Sequence, residues 1–291
     1  MGKRRNLNPE CLYLGSMKAI LAILIILSIP TYSSQNIKLI WAEEFNKGSR
    51  PDPENWNYET GFIRNLEKQI YTKKKSNLRV HNGNLEITAR KENYRNKAFD
   101  SRSRNYRLNT EFADYTSGSI NTKNRFEFQY GRVEIRAKLP KGKGVWPALW
   151  MLGADFDEIG WPETGEIDIM EHIGKSPYEI HGTLHFPCDN HLGYESISGV
   201  SRIKDVSENY HVYSIDWSPE KIDWLIDNEV YHSVDLDEAG KKDNPFRKPF
   251  YLIINLALGG NWAGKVDPSI FPQKFYIDYV RVYKIEKKAG L

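Results

Sequence analysis

Cysteine is nearly absent from this chain of 291 residues: there are two, Cys11 and Cys188. Cys11 precedes an apolar leader, and if that leader is removed Cys188 alone remains. A disulfide framework is therefore excluded, and stability has to come from a core. Long apolar runs are also missing. The most sustained, Ala19–Ile29, ends at Pro30 and is short for a bilayer span. No segment keeps a 3.6-residue apolar period, which argues against a helical protein. Nor is there a dominant charge. The formal +3 is carried by residues 1–34, where Lys3, Arg4, Arg5 and Lys18 face only Glu10, so the remainder balances to zero. With no block of basic residues, the sequence gives no footprint for nucleic acid or an anionic membrane. Neutrality also speaks against a highly sulfated polysaccharide as substrate. There is no internal repeat and no linker, hence no appended binding module.

Residues 1–34 read as a secretory signal: basic n-region, apolar h-region, then the small residues Ser33 and Ser34. The expectation is export with cleavage near Ser34 and no stable membrane association afterwards, an uncleaved anchor being the alternative. Cys11 lies before the apolar run and does not fit lipid attachment.

What the rest of the chain does have is period-2 patterning. Val133, Ile135, Ala137 and Leu139 alternate with charges, as do Leu85, Ile87 and Ala89. Ile222, Trp224 and Ile226 alternate likewise, and Asp227-Asn-Glu229 turns the chain toward Val230–Val234 as a hairpin. Phe250–Ala257 is almost wholly apolar and suits a strand buried on both faces, while Phe275–Ile285 forms a closing strand. Many short antiparallel strands predict an all-β sandwich of two sheets. Lys91–Thr110 is polar, rich in charge and without period, and reads as a long surface loop.

The chemistry concentrates in Gly165-Glu-Ile-Asp-Ile-Met-Glu-His172. Residues two apart on a strand share a face, so Glu166 and Asp168 point one way while Ile167 and Ile169 point into a core. Glu171 falls on the wrong side unless a β-bulge near Ile169–Met170 adds one residue. Three acids on one face repel, and one must keep its proton at neutral pH. A carboxylate nucleophile beside a carboxylic acid is what retaining glycoside hydrolysis uses. The spacing alone leaves open an acidic strand facing solvent, or a cation site, although the oxygen and glycine spacing of an EF-hand loop is absent. The flanking Trp146, Trp150 and Trp161 favour a binding face.

Gly144-Val-Trp-Pro-Ala-Leu-Trp-Met-Leu152 followed by Gly160-Trp-Pro-Glu-Thr-Gly-Glu-Ile-Asp-Ile-Met-Glu-His172 resembles glycoside hydrolase family 16, and within it the laminarinase-like endo-β-1,3-glucanases. The resemblance runs from about Trp41 to Tyr283 and implies a β-jelly roll with a concave substrate groove over 35–291. It implies a nucleophile at Glu166, an acid/base at Glu171 and an assisting Asp168. Substrate contacts are implied at Asn65, Trp146, Trp161 and Trp262. Trp150 is divided between core and groove, and Asn255, a lone amide in an apolar strand, is expected to face the groove. His185 is expected to hydrogen-bond the sugar or the acid, His181 to be structural, and Trp217 and Trp224 to be core. Glu163, a fourth nearby acid, is expected in a loop. No catalytic cofactor is implied. A structural calcium is implied at Glu44, Gly83 and Asp278, although Glu43 stands where the family more often has aspartate. The expected partner is β-1,3-glucan, with mixed-linkage β-1,3/1,4-glucan a further substrate, cut by a monomer. The alternatives are an agarase- or carrageenase-like galactan hydrolase, a non-catalytic glucan-recognition protein, and a transglycosylase.

Overall fold

A computed structural model describes residues 36–188, 193–240 and 244–286. The segment read as a secretory leader, residues 1–34, falls outside the described residues. Among those described, no helix is long and apolar enough to cross a membrane.

Among the described residues, eighteen strands follow in chain order. The first nine are β1 (Asn36–Glu43), β2 (Asn57–Tyr58), β3 (Gln69–Tyr71), β4 (Leu78–His81), β5 (Asn84–Arg95), β6 (Phe112–Ser117), β7 (Ser119–Asn121), β8 (Glu127–Phe128) and β9 (Gly131–Lys138). The remainder are β10 (Val145–Gly153), β11 (Glu166–Glu171), β12 (Glu179–Pro187), β13 (Tyr194–Arg202), β14 (His211–Trp217), β15 (Lys221–Ile226), β16 (Glu229–Asp235), β17 (Phe250–Leu258) and β18 (Gln273–Glu286). They form two sheets. One has the order β16-β15-β14-β9-β18-β5-β6-β3, with β1 on β18 and β4 on β5. The other runs β13-β12-β11-β10-β17-β7-β2, with β8 on β17. All pairings are antiparallel except β3 with β6.

The period-2 reading holds where it was clearest. Val133, Ile135 and Ala137 are fully buried, as are Leu85, Ile87 and Ala89, Trp217 and Trp224. They meet Leu149, Met151, Ile167, Ile169, Met170, Leu252 and Ile254 of the facing sheet in one core. The hairpin between β15 and β16 turns on two residues with positive φ, Asp227 (51°) and Asn228 (69°), the turn whose twist matches the flanking strands. β17 is buried along its whole length. Leu252, Ile254 and Leu256 enter the main core, while Tyr251 and Ile253 pack with Ala148, Trp150 and Leu152 on the opposite face.

The loop expected over Lys91–Thr110 is corrected. β5 continues to Arg95, paired with β6 (Tyr94↔Ala113, Arg95↔Phe112), and a short helix follows, α1 (Tyr106–Asn109), capped by the Asn105 side chain. Along this extension only Glu92 and Tyr94 are half-buried, Tyr94 against Phe62, Ile70 and Ala113, so no apolar alternation marks it.

Candidate active site

β11 carries the three acids, and its register shows how they come together. Against β12, Glu166 pairs with His185 and Asp168 with Thr183, but Glu171 pairs with His181, so three steps on β11 oppose two on β12. Against β10, Asp168 faces Trp150 and Met170 faces Leu149, leaving Ile169 without a partner. This is the expected bulge. Ile169 and Met170 both turn into the core, and Glu166, Asp168 and Glu171 all line the same groove on the outer face of the sheet. The indole N–H of Trp224, in the core, donates to the Asp168 carbonyl at 2.8 Å and so holds the irregular backbone from beneath.

The groove has a volume of about 870 Å³ and crosses β13, β12, β11, β10 and β17. Trp146 and Trp262 meet edge to face (centroids 5.4 Å apart), and His181 stands edge-on to Trp262 at 5.0 Å. At another wall Trp161, 41% exposed, leans on Tyr194, 53% exposed, at 4.7 Å. Open indole and phenol faces of this kind suit the C–H faces of sugars. Asn65 is exposed and also lines the groove. Its φ of 54° is a conformation Asn tolerates, and its carbonyl accepts from Asn261 N–H at 3.0 Å.

Trp150 and Asn255 are resolved differently. Trp150 is 6% exposed and donates its indole N–H to Asn255 Oδ1 at 2.7 Å; Asn255 Nδ2 donates to the Tyr71 hydroxyl at 3.0 Å. That hydroxyl in turn donates to Glu67, which also accepts from Gln69. Both residues line the groove, but their polar atoms are engaged within the protein. Arg64 covers the Trp150 ring at 4.9 Å and is ion-paired to Glu59. Arg64, Glu59, Glu67, Thr183, Ser198 and Tyr194 are groove residues that the sequence reading missed, and His181, read as structural, lines it too. Glu163 sits half-buried in the turn before β11, outside the groove lining.

Burial and mutual repulsion set the electrostatics. All three carboxyls are raised: Glu166 to about 8 and Asp168 to about 7, by desolvation first. Repulsion from Asp168 adds to the shift at Glu166, while His185, Trp161 and Arg64 act against it. A hydrogen bond with Glu166 offsets part of the shift at Asp168. Glu171 is pushed well above the carboxylate range by desolvation and then by Asp168 and Glu166, although Trp146 Nε1 donates to it at 2.9 Å. Burial and repulsion therefore favour the protonated form of Glu171. His185 Nε2 lies 3.2 Å from Asp168 Oδ2 without the alignment of a hydrogen bond. Donor atoms of Glu166, Asp168 and His185 fall within 4.8 Å of one another.

The calcium ligands implied at Glu44, Gly83 and Asp278 do not form an open acidic site. Strand register brings the three positions to one end of the sheet, with Asp278 at an irregularity in β18. Arg281 holds Glu44 by two hydrogen bonds (2.7 and 2.9 Å), however, and Arg136 holds Asp278 at 2.6 Å. Two guanidinium groups thus pair with the carboxylates there, while the backbone carbonyls that the resemblance implies as further ligands are not engaged by these contacts.

A jelly roll with a tryptophan-walled groove and paired acids on its floor defines a carbohydrate-cleaving site. Comparison with known proteins agrees. Residues 65–281 match the family model for glycosyl hydrolases family 16. A β-glucanase of Rhodothermus marinus is 40% identical over 259 residues, which cover 85% of each chain. The laminarinase catalytic domain of Thermotoga maritima is 41% identical over 86% of this chain and 99% of its own, with a TM-score of 0.75. A structure from work on endo-acting O-glycanases, which members of the human gut microbiota express to initiate mucin breakdown, is 38% identical. It covers 87% of this chain and 92% of its own, with a TM-score of 0.82. The chain belongs to glycosyl hydrolases family 16 and is a glycoside hydrolase.

Proposed function

We propose that this enzyme is an endo-β-1,3-glucanase of laminarinase type, able also to cut mixed-linkage β-1,3/1,4-glucan, and that it retains anomeric configuration. The observation that carries the mechanism is the bulge, which sets Glu166 and Glu171 on one groove floor with Asp168 between them. In the molecules whose Glu166 has given up its proton, the carboxylate attacks the anomeric carbon as the bond to the leaving sugar breaks, and Glu171 gives its proton to the departing oxygen. The ester formed at Glu166 carries no charge, so one source of repulsion on Glu171 disappears. The ionised Glu171 then takes a proton from the water that releases the sugar and restores the Glu166 carboxylate. Asp168 exchanges a hydrogen bond with Glu166 through this cycle. Trp146, Trp161 and Trp262 supply stacking surface, and Asn65 and His185 polar contacts to the glucan. Interception of the ester by a sugar instead of water would give transglycosylation.

These steps use only carboxyl groups and water, and no calcium enters them. Export through the leader at 1–34 is part of the proposal and rests on the sequence; N-terminal sequencing of protein recovered outside the cell tests it. A second reading, cleavage of a galactose-containing glycan, is favoured by 30% identity over 263 residues to a keratan-sulfate endo-1,4-β-galactosidase of Sphingobacterium multivorum. A reducing-end assay on laminarin, lichenan, curdlan, agarose and carrageenan separates the two. Activity is expected on the first three, with β-anomers appearing first by proton NMR. Cleavage confined to the galactans, or α-anomers first, would overturn the reading.

A further inference from the structure

The balance of charge outside the leader conceals an uneven distribution. Between Arg90 and Arg107 the chain carries seven basic residues against Glu92 and Asp100, and Lys73-Lys74-Lys75 forms a second basic cluster. The fold brings the two together. Lys74 lies 3.6 Å from Glu92 and 4.3 Å over the Tyr94 ring, and Lys73, Lys74 and Lys97 line a cleft of about 490 Å³ with Tyr94, Asn96 and Thr72. Among the described residues only Lys74, Arg95 and Arg102 of these cations have a carboxylate within 4 Å, namely Glu92, Glu111 and Asp100. The others, including the exposed Lys73, Lys97, Arg104 and Arg107, are unneutralised there.

This cationic flank adjoins the groove. Tyr71 lines the cleft, while its hydroxyl holds Asn255 and Glu67 of the groove. On the open side the Asn96 side chain, also in the cleft, donates to the Arg107 carbonyl at 2.8 Å, and Arg107 lines the groove. The Tyr106 hydroxyl ties this segment to the Arg64 carbonyl at 2.8 Å. A polymer leaving the groove past Arg64 and Arg107 therefore meets a field of one sign, set among hydroxyl and amide groups.

We infer that this flank is a second glycan-binding surface, taking polysaccharide that carries acidic substituents, sulfate or carboxylate, beside the cleavage groove. For its position it rests on the glycan-cleaving reading of the groove, and for its ligand class on charge alone. The Lys73–Lys75 run departs from the expectation of no basic block, and the inference runs against the expectation that a highly sulfated polysaccharide is disfavoured as substrate.

Laminarin, carboxymethyl-laminarin and sulfated laminarin share a backbone and differ in charge. Binding of each to the full chain by biolayer interferometry is expected to be at least about fivefold tighter for the acidic forms. That advantage should vanish at about 0.3 M salt, where screening acts within about 5–6 Å, and in the double variant Lys73→Glu/Lys97→Glu. The variant should keep wild-type kcat/KM on laminarin, which also reports that it is folded. A preference for one derivative names the substituent. An advantage that is absent, that survives salt, or that survives the double variant overturns the inference. So does binding of phosphatidylserine vesicles that the variant loses while the glucans are not distinguished. If laminarin goes uncut but the salt-sensitive preference appears, the glucanase reading falls and this one stands.

Discussion

Replacing Glu166 by glutamine should stabilise the protein while abolishing turnover, and the size of the gain follows from the carboxyl's surroundings. The folded state raises Glu166 from 4.5 to about 8, so the folded protein holds a proton that the unfolded chain has released. Stability from this group is complete below pH 4.5 and is lost as pH rises toward 8. At 1.4 kcal/mol per tenfold, the loss could reach about 5 kcal/mol. Its charge is shared with Asp168 in a groove open to water, so about 2–3 kcal/mol is the expected cost above pH 8. Glutamine keeps the shape and removes the charge. Thermal unfolding at pH 8 should then occur some 5–10 °C higher than in the wild type, and the difference should close by pH 4. Hydrolysis of laminarin should be lost at every pH. An equal or lower Tm at pH 8, or a gain independent of pH, would refute the claim that crowded, desolvated acids strain this site.

Three other substitutions probe the parts that hold the acids. Deleting Met170 leaves a regular strand in which the last acid follows Glu166 by four positions and keeps to the groove face; measurable reducing-end release should survive, and its complete loss with retained β-sheet circular dichroism would show that the bulge itself sets the working carboxyl separation. Trp146→Phe removes the 2.9 Å hydrogen bond to Glu171, a contact that becomes charge-assisted, at about 1.5–3 kcal/mol, when Glu171 ionises. Because that bond favours the ionised form, its loss should raise Glu171 further, move the alkaline limb of the pH–rate profile to higher pH and lower kcat about tenfold or more. Arg64→Met leaves Glu59 and Glu67 without their shared cation and should cost about 3–5 kcal/mol in urea denaturation; a loss under about 1 kcal/mol would mean that the network is hydrated.

How much of this was legible in the sequence depends on whether cause and effect lie close together in the chain. The bulge was, because Glu166, Asp168 and Glu171 share a purpose only if one residue is added between them, and Ile169 and Met170 are the apolar candidates to absorb it. β17 was, because nine consecutive residues tolerate burial with one amide among them. The role of that amide was not. Asn255 spends its hydrogen bonds on Trp150 and Tyr71, 105 and 184 residues away, and no local pattern encodes such partners. Arg64 has the same difficulty, since Trp150, which it covers, is distant in sequence. The strand that runs on to Arg95 was illegible for another reason: apolar alternation records burial, and Tyr94 is the one apolar side chain of the extension that packs on a core cluster.

The division of β11 between its two faces explains how a costly site persists. On one face three acids repel in a partly dehydrated groove; on the other Ile167, Ile169 and Met170 are 0–2% exposed. Burying three such side chains contributes about 1.5–3 kcal/mol each, comparable to the penalty set by the carboxyls. Period 2 keeps these contributions on opposite sides, so the acids could be tuned without disturbing the core. The bulge is the one point where the two sides are not independent, because Met170 must turn inward for Glu171 to turn outward. Trp224 ties that point to the second sheet through the Asp168 carbonyl. Losing its indole N–H would therefore disturb the alignment of the acids as well as the core. Trp224→Phe should lower kcat while leaving KM for laminarin nearly unchanged, and cost about 1–3 kcal/mol of stability for the unpartnered carbonyl. A variant that loses stability alone would show that the bulge holds its shape without this support.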